Sequence, residues 1–212
     1  MPTKFYKIGL TGGIGCGKSE VRRHIEKLGF ATIDADSRAK KIAVEDPRAI
    51  SKIKKDFSSD VYSASGVLQR DVLAGFVFGN AVALQKLNAI LHPLVFESVG
   101  REIEKLKAKK RYLIIIEAAL FYESGWDEQM DIMVVVTAPM KKRKEWLQQR
   151  DGVTSEQINA RMKHQIPVED KARRADYLIE NNTTLDALHF EISKFIDWLR
   201  SRILIQKPSK NI

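Results

Sequence analysis

Apolar and β-branched residues gather into five short blocks: Phe5 to Leu10, Ala31 to Asp34, Tyr112 to Glu117, Ile132 to Thr137 and Tyr177 to Glu180. Four of them are almost unbroken in hydrophobicity, the pattern of strands buried on both faces, and they predict a parallel sheet. Between the blocks the spacing changes to a helical period, as in Val95, Val99, Ile103 and Leu106 and again in Leu185, Leu188, Ile192, Phe195, Ile196 and Leu199. Alternation of strand and helix predicts an α/β fold with a three-layer sandwich and a five-stranded parallel sheet.

Two intervals exceed a simple crossover. The first runs from about Asp36 to Lys110, punctuated by Pro47, Ser58-Ser59 and Ser65-Gly66, and is expected to hold a helical insertion, at about 60–110, that closes over a substrate. The second follows Thr137. Pro139 suits a first helical turn, Thr154-Ser155-Glu156-Gln157 reads as a capping box, and Met140 to Gln165 predicts a helical hairpin acting as a lid, at about 139–166. At 212 residues the chain fits one such domain, 1–212, better than two independent ones.

The block that ends at Leu10 runs directly into Gly12-Gly13-Ile14-Gly15-Cys16-Gly17-Lys18-Ser19, followed by the helical run Val21, Ile25, Leu28. Strand, Gly-x-x-x-x-Gly-Lys-Ser and helix together define a P-loop. Its glycines turn the backbone so that successive N–H groups face phosphate oxygens, and the helix adds its positive N-terminal end. Lys18 is expected on the β- and γ-phosphates of ATP and the Ser19 hydroxyl on Mg²⁺. Cys16 reads as a small side chain filling a variable position of the loop.

Composition narrows the class only a little. Hydrophobic residues at 44% and charged residues at 30% describe a chain that folds unaided. A single cysteine and a start, Met1 to Phe5, without a long apolar stretch lead us to expect a cytoplasmic protein. No apolar run reaches the ~18 residues of a membrane span. The net charge of +9 suits a polyanion, either nucleic acid or a small phosphorylated substrate.

A P-loop leaves the fate of the γ-phosphate open. No Asn-Lys-x-Asp-like segment of a GTPase is present. A nucleic-acid motor stays open through Glu117, at the end of the third block, and through the basic runs Lys105 to Arg111 and Lys141 to Lys144. A small kinase needs a carboxylate near the acceptor hydroxyl and arginines for the transferring phosphate. Asp34 and Asp36 follow the second block, where ligands of open parallel sheets sit, and Arg143, Arg150 and Arg161 lie in the expected lid.

Taken in order, Leu10 to Ser19, Ile33 to Asp36, Leu68-Gln69-Arg70, Leu87-Asn88, His92-Pro93, Glu117 to Gly125, Arg150-Asp151-Gly152, Arg161, Gln165, Ala175-Asp176 and Asn181 resemble the dephospho-coenzyme A kinase family of P-loop kinases over nearly the whole chain. The resemblance implies ATP-dependent phosphorylation of the 3′-hydroxyl of dephospho-coenzyme A, a small-molecule partner and no nucleic acid or membrane. It makes Asp36 the leading acceptor of the hydroxyl proton, with Asp34 in support. It puts Thr11, Lys18, Ser19 and Arg150 among the catalytic and phosphate-contacting groups, and Asn181 near the base. Arg70, His92, Glu117 and Arg161 fall to the acceptor side, with the His92-Pro93 corner in the coenzyme A-side insertion. Where the family often has two lid arginines four apart, this chain has Trp146 at the first position and Arg143 one turn earlier, on the same helix.

Overall fold

The computed structural model describes residues 4–163 and 165–204, apart from the side chains of Arg161 and Leu204. Five strands, β1 (Tyr6–Gly12), β2 (Thr32–Asp34), β3 (Leu113–Glu117), β4 (Ile132–Thr137) and β5 (Tyr177–Glu180), form one all-parallel sheet in the order β2-β3-β1-β4-β5. Strand β1 is central, paired with β3 through Ile8↔Ile115 and with β4 through Leu10↔Val134. The chain leaves β1 toward one edge and later returns to build the other, so the end of β1 is the switch point at which a parallel sheet opens a ligand crevice.

Strands β3 and β4 are apolar without alternation because both faces are covered. Ile114, Ile115 and Ile116 are fully buried in succession, as are Val134, Val135 and Val136, each contributing about 1.5–3 kcal/mol of burial. Helix α1 (Lys18–Lys27) buries Val21 and Ile25, four apart and so on one face. It packs with the last helix, whose Leu188, Ile192, Phe195, Ile196 and Leu199 are buried.

The chain divides into two compact units, 35–105 and the remainder. The smaller holds α2 (Ala35–Glu45), α3 (Pro47–Asp56), α4 (Arg70–Val77) and most of α5 (Ala81–Ala108). Its core is Ala43, Ala49, Ile53, Val61, Tyr62, Leu73, Ile90 and Leu91, with the Tyr62 hydroxyl donating to the Ala43 carbonyl at 2.6 Å. Asp46 caps α3 by accepting from the Arg48 amide, ahead of Pro47 at the first helical position. Hydrogen bonds from the Arg48 guanidinium pull the Asp46 pKa down to about 2.

The expected His92-Pro93 corner is not a corner, nor does His92 start a helix. Both residues lie inside the 28-residue α5, where Pro93 withdraws the N–H that would have reached Ala89. Burial of Ile90, Leu91, Val95 and Val99 on either side offsets that loss.

The larger unit continues with α6 (Met140–Asp151), α7 (Ser155–Met162), α8 (Val168–Arg173) and α9 (Leu185–Leu204). Pro139 stands just before α6, at its N-cap. Gly152 ends α6 in the left-handed region, and α7 opens on the expected capping box: the Gln157 amide donates to Thr154 Oγ1 at 3.3 Å, and the Thr154 amide donates to Gln157 Oε1 at 2.9 Å.

Candidate active site

The glycine-rich turn leaves β1 at its carboxyl end and enters α1 at Lys18. Gly17 caps α1 with φ 89°, a left-handed conformation natural to glycine, and a Cβ there would stand 2.5 Å from Asn181 Nδ2. Asn181 follows β5 and donates from Nδ2 to the Cys16 carbonyl at 3.2 Å, bracing the loop from the β5 side. Lys18 folds back over the loop, its ammonium donating to the Gly12 and Gly13 carbonyls at 3.2 and 3.1 Å. Cys16 is buried, and burial pushes its thiol pKa up against the pull of Arg143 and Lys18.

The backbone of Ile14 is held on both sides of its Cα. Its N–H donates to Gln165 Oε1 at 3.1 Å, and its carbonyl accepts from Arg143 Nε at 2.9 Å. Gln165 follows α7, and Arg143 lies in the first turn of α6, so the two ends of the 140–165 segment meet on one residue of the loop.

Beside the loop, the Ser19 hydroxyl donates to Glu117 Oε1 at 2.8 Å, while Arg22 Nε donates to Glu117 Oε2 at 3.0 Å. Glu117 ends β3 and is 4% exposed; burial raises its carboxyl pKa, and Asp34 adds to the rise, against Ser19, Lys18 and Arg22. Asp34 is the register partner of Glu117 on the adjacent strand. A hydroxyl and a buried carboxylate are hard oxygen donors of the kind that Mg²⁺ takes. Among the described residues no group of three or more His, Cys, Asp or Glu could hold a metal ion by protein ligands alone.

The loop after β3 is tied down by a second set of contacts. Thr11 is fully buried and its hydroxyl donates to the Ala119 carbonyl at 3.4 Å. The same carbonyl accepts from Lys171 Nζ at 2.9 Å, and this fully buried ammonium pairs with Glu123 Oε1 at 2.7 Å. Glu123 Oε1 also accepts from the Ile166 amide.

Arg150 is exposed, its guanidinium gripped by Asp151 through Nε at 2.7 Å and Nη2 at 2.8 Å. Arg161 lies in α7, its side chain outside the described residues. In the smaller unit, Asp36 lies in the first turn of α2 and is exposed, Arg70 opens α4, also exposed, and His92 is half-buried against Phe96. Burial lowers the His92 pKa, opposed by the charge of Asp36. Arg22 and Lys171 belong to the site without having been expected in it. Arg22 had a signal, since it lies one turn beyond Ser19 on the same face of α1.

A phosphate cradle at the switch point of an all-parallel five-stranded sheet defines a nucleotide-binding protein of the P-loop class. The model of one family, Dephospho-CoA kinase, matches residues 6–187. A dephospho-CoA kinase of Salinibacter ruber is 39% identical over 181 residues, covering 85% of this chain and 91% of the relative. The crystal structure of a Thermus thermophilus protein superposes with a TM-score of 0.79 at 29% identity, covering 93% of this chain and 99% of that one. A dephospho-CoA kinase of Campylobacter jejuni gives 0.68 at 28%, covering 92% and 98%. The chain belongs to the dephospho-CoA kinase family. No helix among the described residues is long and apolar enough to cross a membrane.

Proposed function

We propose that the chain transfers the γ-phosphate of ATP to the 3′-hydroxyl of dephospho-coenzyme A, giving coenzyme A and ADP, the last step of coenzyme A synthesis. The family match over residues 6–187, which takes in the P-loop and the whole of the smaller unit, carries this reading.

The backbone N–H groups of the loop and the N-terminus of α1 bind the triphosphate. Lys18 exchanges the neutral carbonyls of Gly12 and Gly13 for phosphate oxygens, a charge-assisted and therefore stronger pairing. Ser19 would hold Mg²⁺ with Glu117 beside it, the remaining ligands coming from phosphates and water as is usual for this ion. The ion, when bound, neutralises charge that builds on the transferring group. Arg150 moves from Asp151 onto the phosphates as the 140–165 lid closes, and Arg161 and Arg70 supply further positive charge on the acceptor side. Asn181 stands at the base. Thr11 holds the loop after β3 in place through Ala119. Asp36 orients the 3′-hydroxyl and accepts its proton, with Asp34 in support, and His92 contacts the acceptor. A carboxylate is a weak base at neutral pH, so orientation is the larger part of its contribution.

Two measurements test the reading. In a screen of acceptors followed by coupled ADP release, dephospho-coenzyme A should give the strongest signal; a stronger response to a nucleoside, or turnover driven by DNA or RNA alone, would overturn the assignment. Asp36→Asn should leave ATP affinity near normal and lower kcat roughly 100-fold or more. Unchanged turnover would remove Asp36 from the role.

A further inference from the structure

We propose that Arg143 is a direct ligand of the nucleotide's phosphates, a second fixed cation of the cradle beside Lys18. The proposal rests on the P-loop reading above and extends it to a residue of α6.

Arg143 is 3% exposed. Among the described residues its guanidinium makes one hydrogen bond, from Nε to the neutral Ile14 carbonyl, and no carboxylate pairs with it. A full charge withdrawn from water without a counter-charge is a costly arrangement. Lys171, the other buried cation among the described residues of this unit, has Glu123 against it at 2.7 Å. A neutral donor would serve equally well if the purpose were only to hold the Ile14 carbonyl. The charge therefore answers an anion that arrives later, and the surface it lies against is built for phosphate.

Geometry points the same way. The guanidinium packs on Gly13, where a Cβ would collide with Nη2, so the second glycine of the motif makes room for this cation. The fully enclosed polar atoms without a partner among the described residues are Tyr122 Oη, Glu123 Oε2 and His189 Nε2. Nη1 and Nη2 of Arg143 donate to no acceptor among the described residues. With Nε tethered to Ile14, these two amino groups are pre-oriented as a fork, the geometry that suits phosphate oxygens. Arg143 also acts electrostatically on the Cys16 thiol, which places its charge within reach of the middle of the loop.

The test is ATP and ADP binding by titration calorimetry without any acceptor, with thermal unfolding of the empty and nucleotide-loaded protein. Arg143→Gln retains a neutral donor for Ile14 and removes the charge; it should weaken nucleotide binding about tenfold or more, as should Arg143→Met, while the empty variants melt no earlier than the wild type. Wild-type nucleotide affinity in Arg143→Gln overturns the proposal and leaves the residue as a clamp on the loop. Should Arg143→Met fail to fold, the glutamine variant carries the test alone. Gly13→Ala should weaken binding in the wild-type background and add little in the Arg143→Gln background; full additivity also overturns the proposal. Because no acceptor is present, a wild-type protein that binds ATP but ignores dephospho-coenzyme A counts against the acceptor and leaves this result standing. One that binds no ATP overturns the P-loop reading itself.

Discussion

Arg143 and Lys171 show how little a charge tells by itself about where a side chain lies. Arg143 stands within Lys141-Lys142-Arg143-Lys144, a basic run that kept a nucleic-acid partner open. In α6, however, the buried residues are Arg143 and Leu147, four apart and on one face. Helical period, applied to a charged residue as it is to apolar ones, would have found it. Lys171 had no comparable signal, because its partner Glu123 lies 48 positions earlier and only the tertiary fold brings them together. Lys171→Met leaves a mostly buried carboxylate without its cation and should cost about 3–5 kcal/mol of stability, read from urea unfolding. Lys171→Met with Glu123→Gln should recover part of that loss, since the amide oxygen still accepts from the Ile166 N–H. A single variant as stable as the wild type would show that the pair contributes nothing.

Among the elements, the pattern was most legible where local chemistry decides. The capping box at Thr154 needs only four consecutive residues, and both of its reciprocal bonds are present. Thr154→Ala should cost about 1 kcal/mol, with amide exchange at Gln157 accelerating while that of β1 stays unchanged. Equal exchange at Gln157 in the two proteins would remove the cap from the account. The strands were legible for a related reason: β3 and β4 are apolar at every position but the last because both faces are covered, and their boundaries shift by no more than a residue or two from the apolar blocks. Pro93 misled, since proline usually ends a helix, whereas packing of the residues around it carries α5 through.

At the scale of the molecule, the α/β class and the place of the phosphate cradle could be read directly from strand, motif and helix in succession. The order of the strands could not, because apolar blocks buried on both faces carry no record of their neighbours; β1 is central only by virtue of pairings with β3 and β4 more than a hundred residues later. The positive charge of +9 proved equally unspecific. Arginines at 22, 143 and 150 serve a carboxylate, a carbonyl and an adjacent aspartate in this structure, rather than one shared patch.

The single cysteine of the chain gives this architecture a built-in timer. Cys16 is sealed in the middle of the loop with its thiol kept protonated by burial, so a reagent that consumes thiolates must wait for the loop to come apart. The rate at which such a reagent labels the unmodified protein therefore counts openings of the phosphate cradle itself, one event per molecule, with no second thiol to confuse the record.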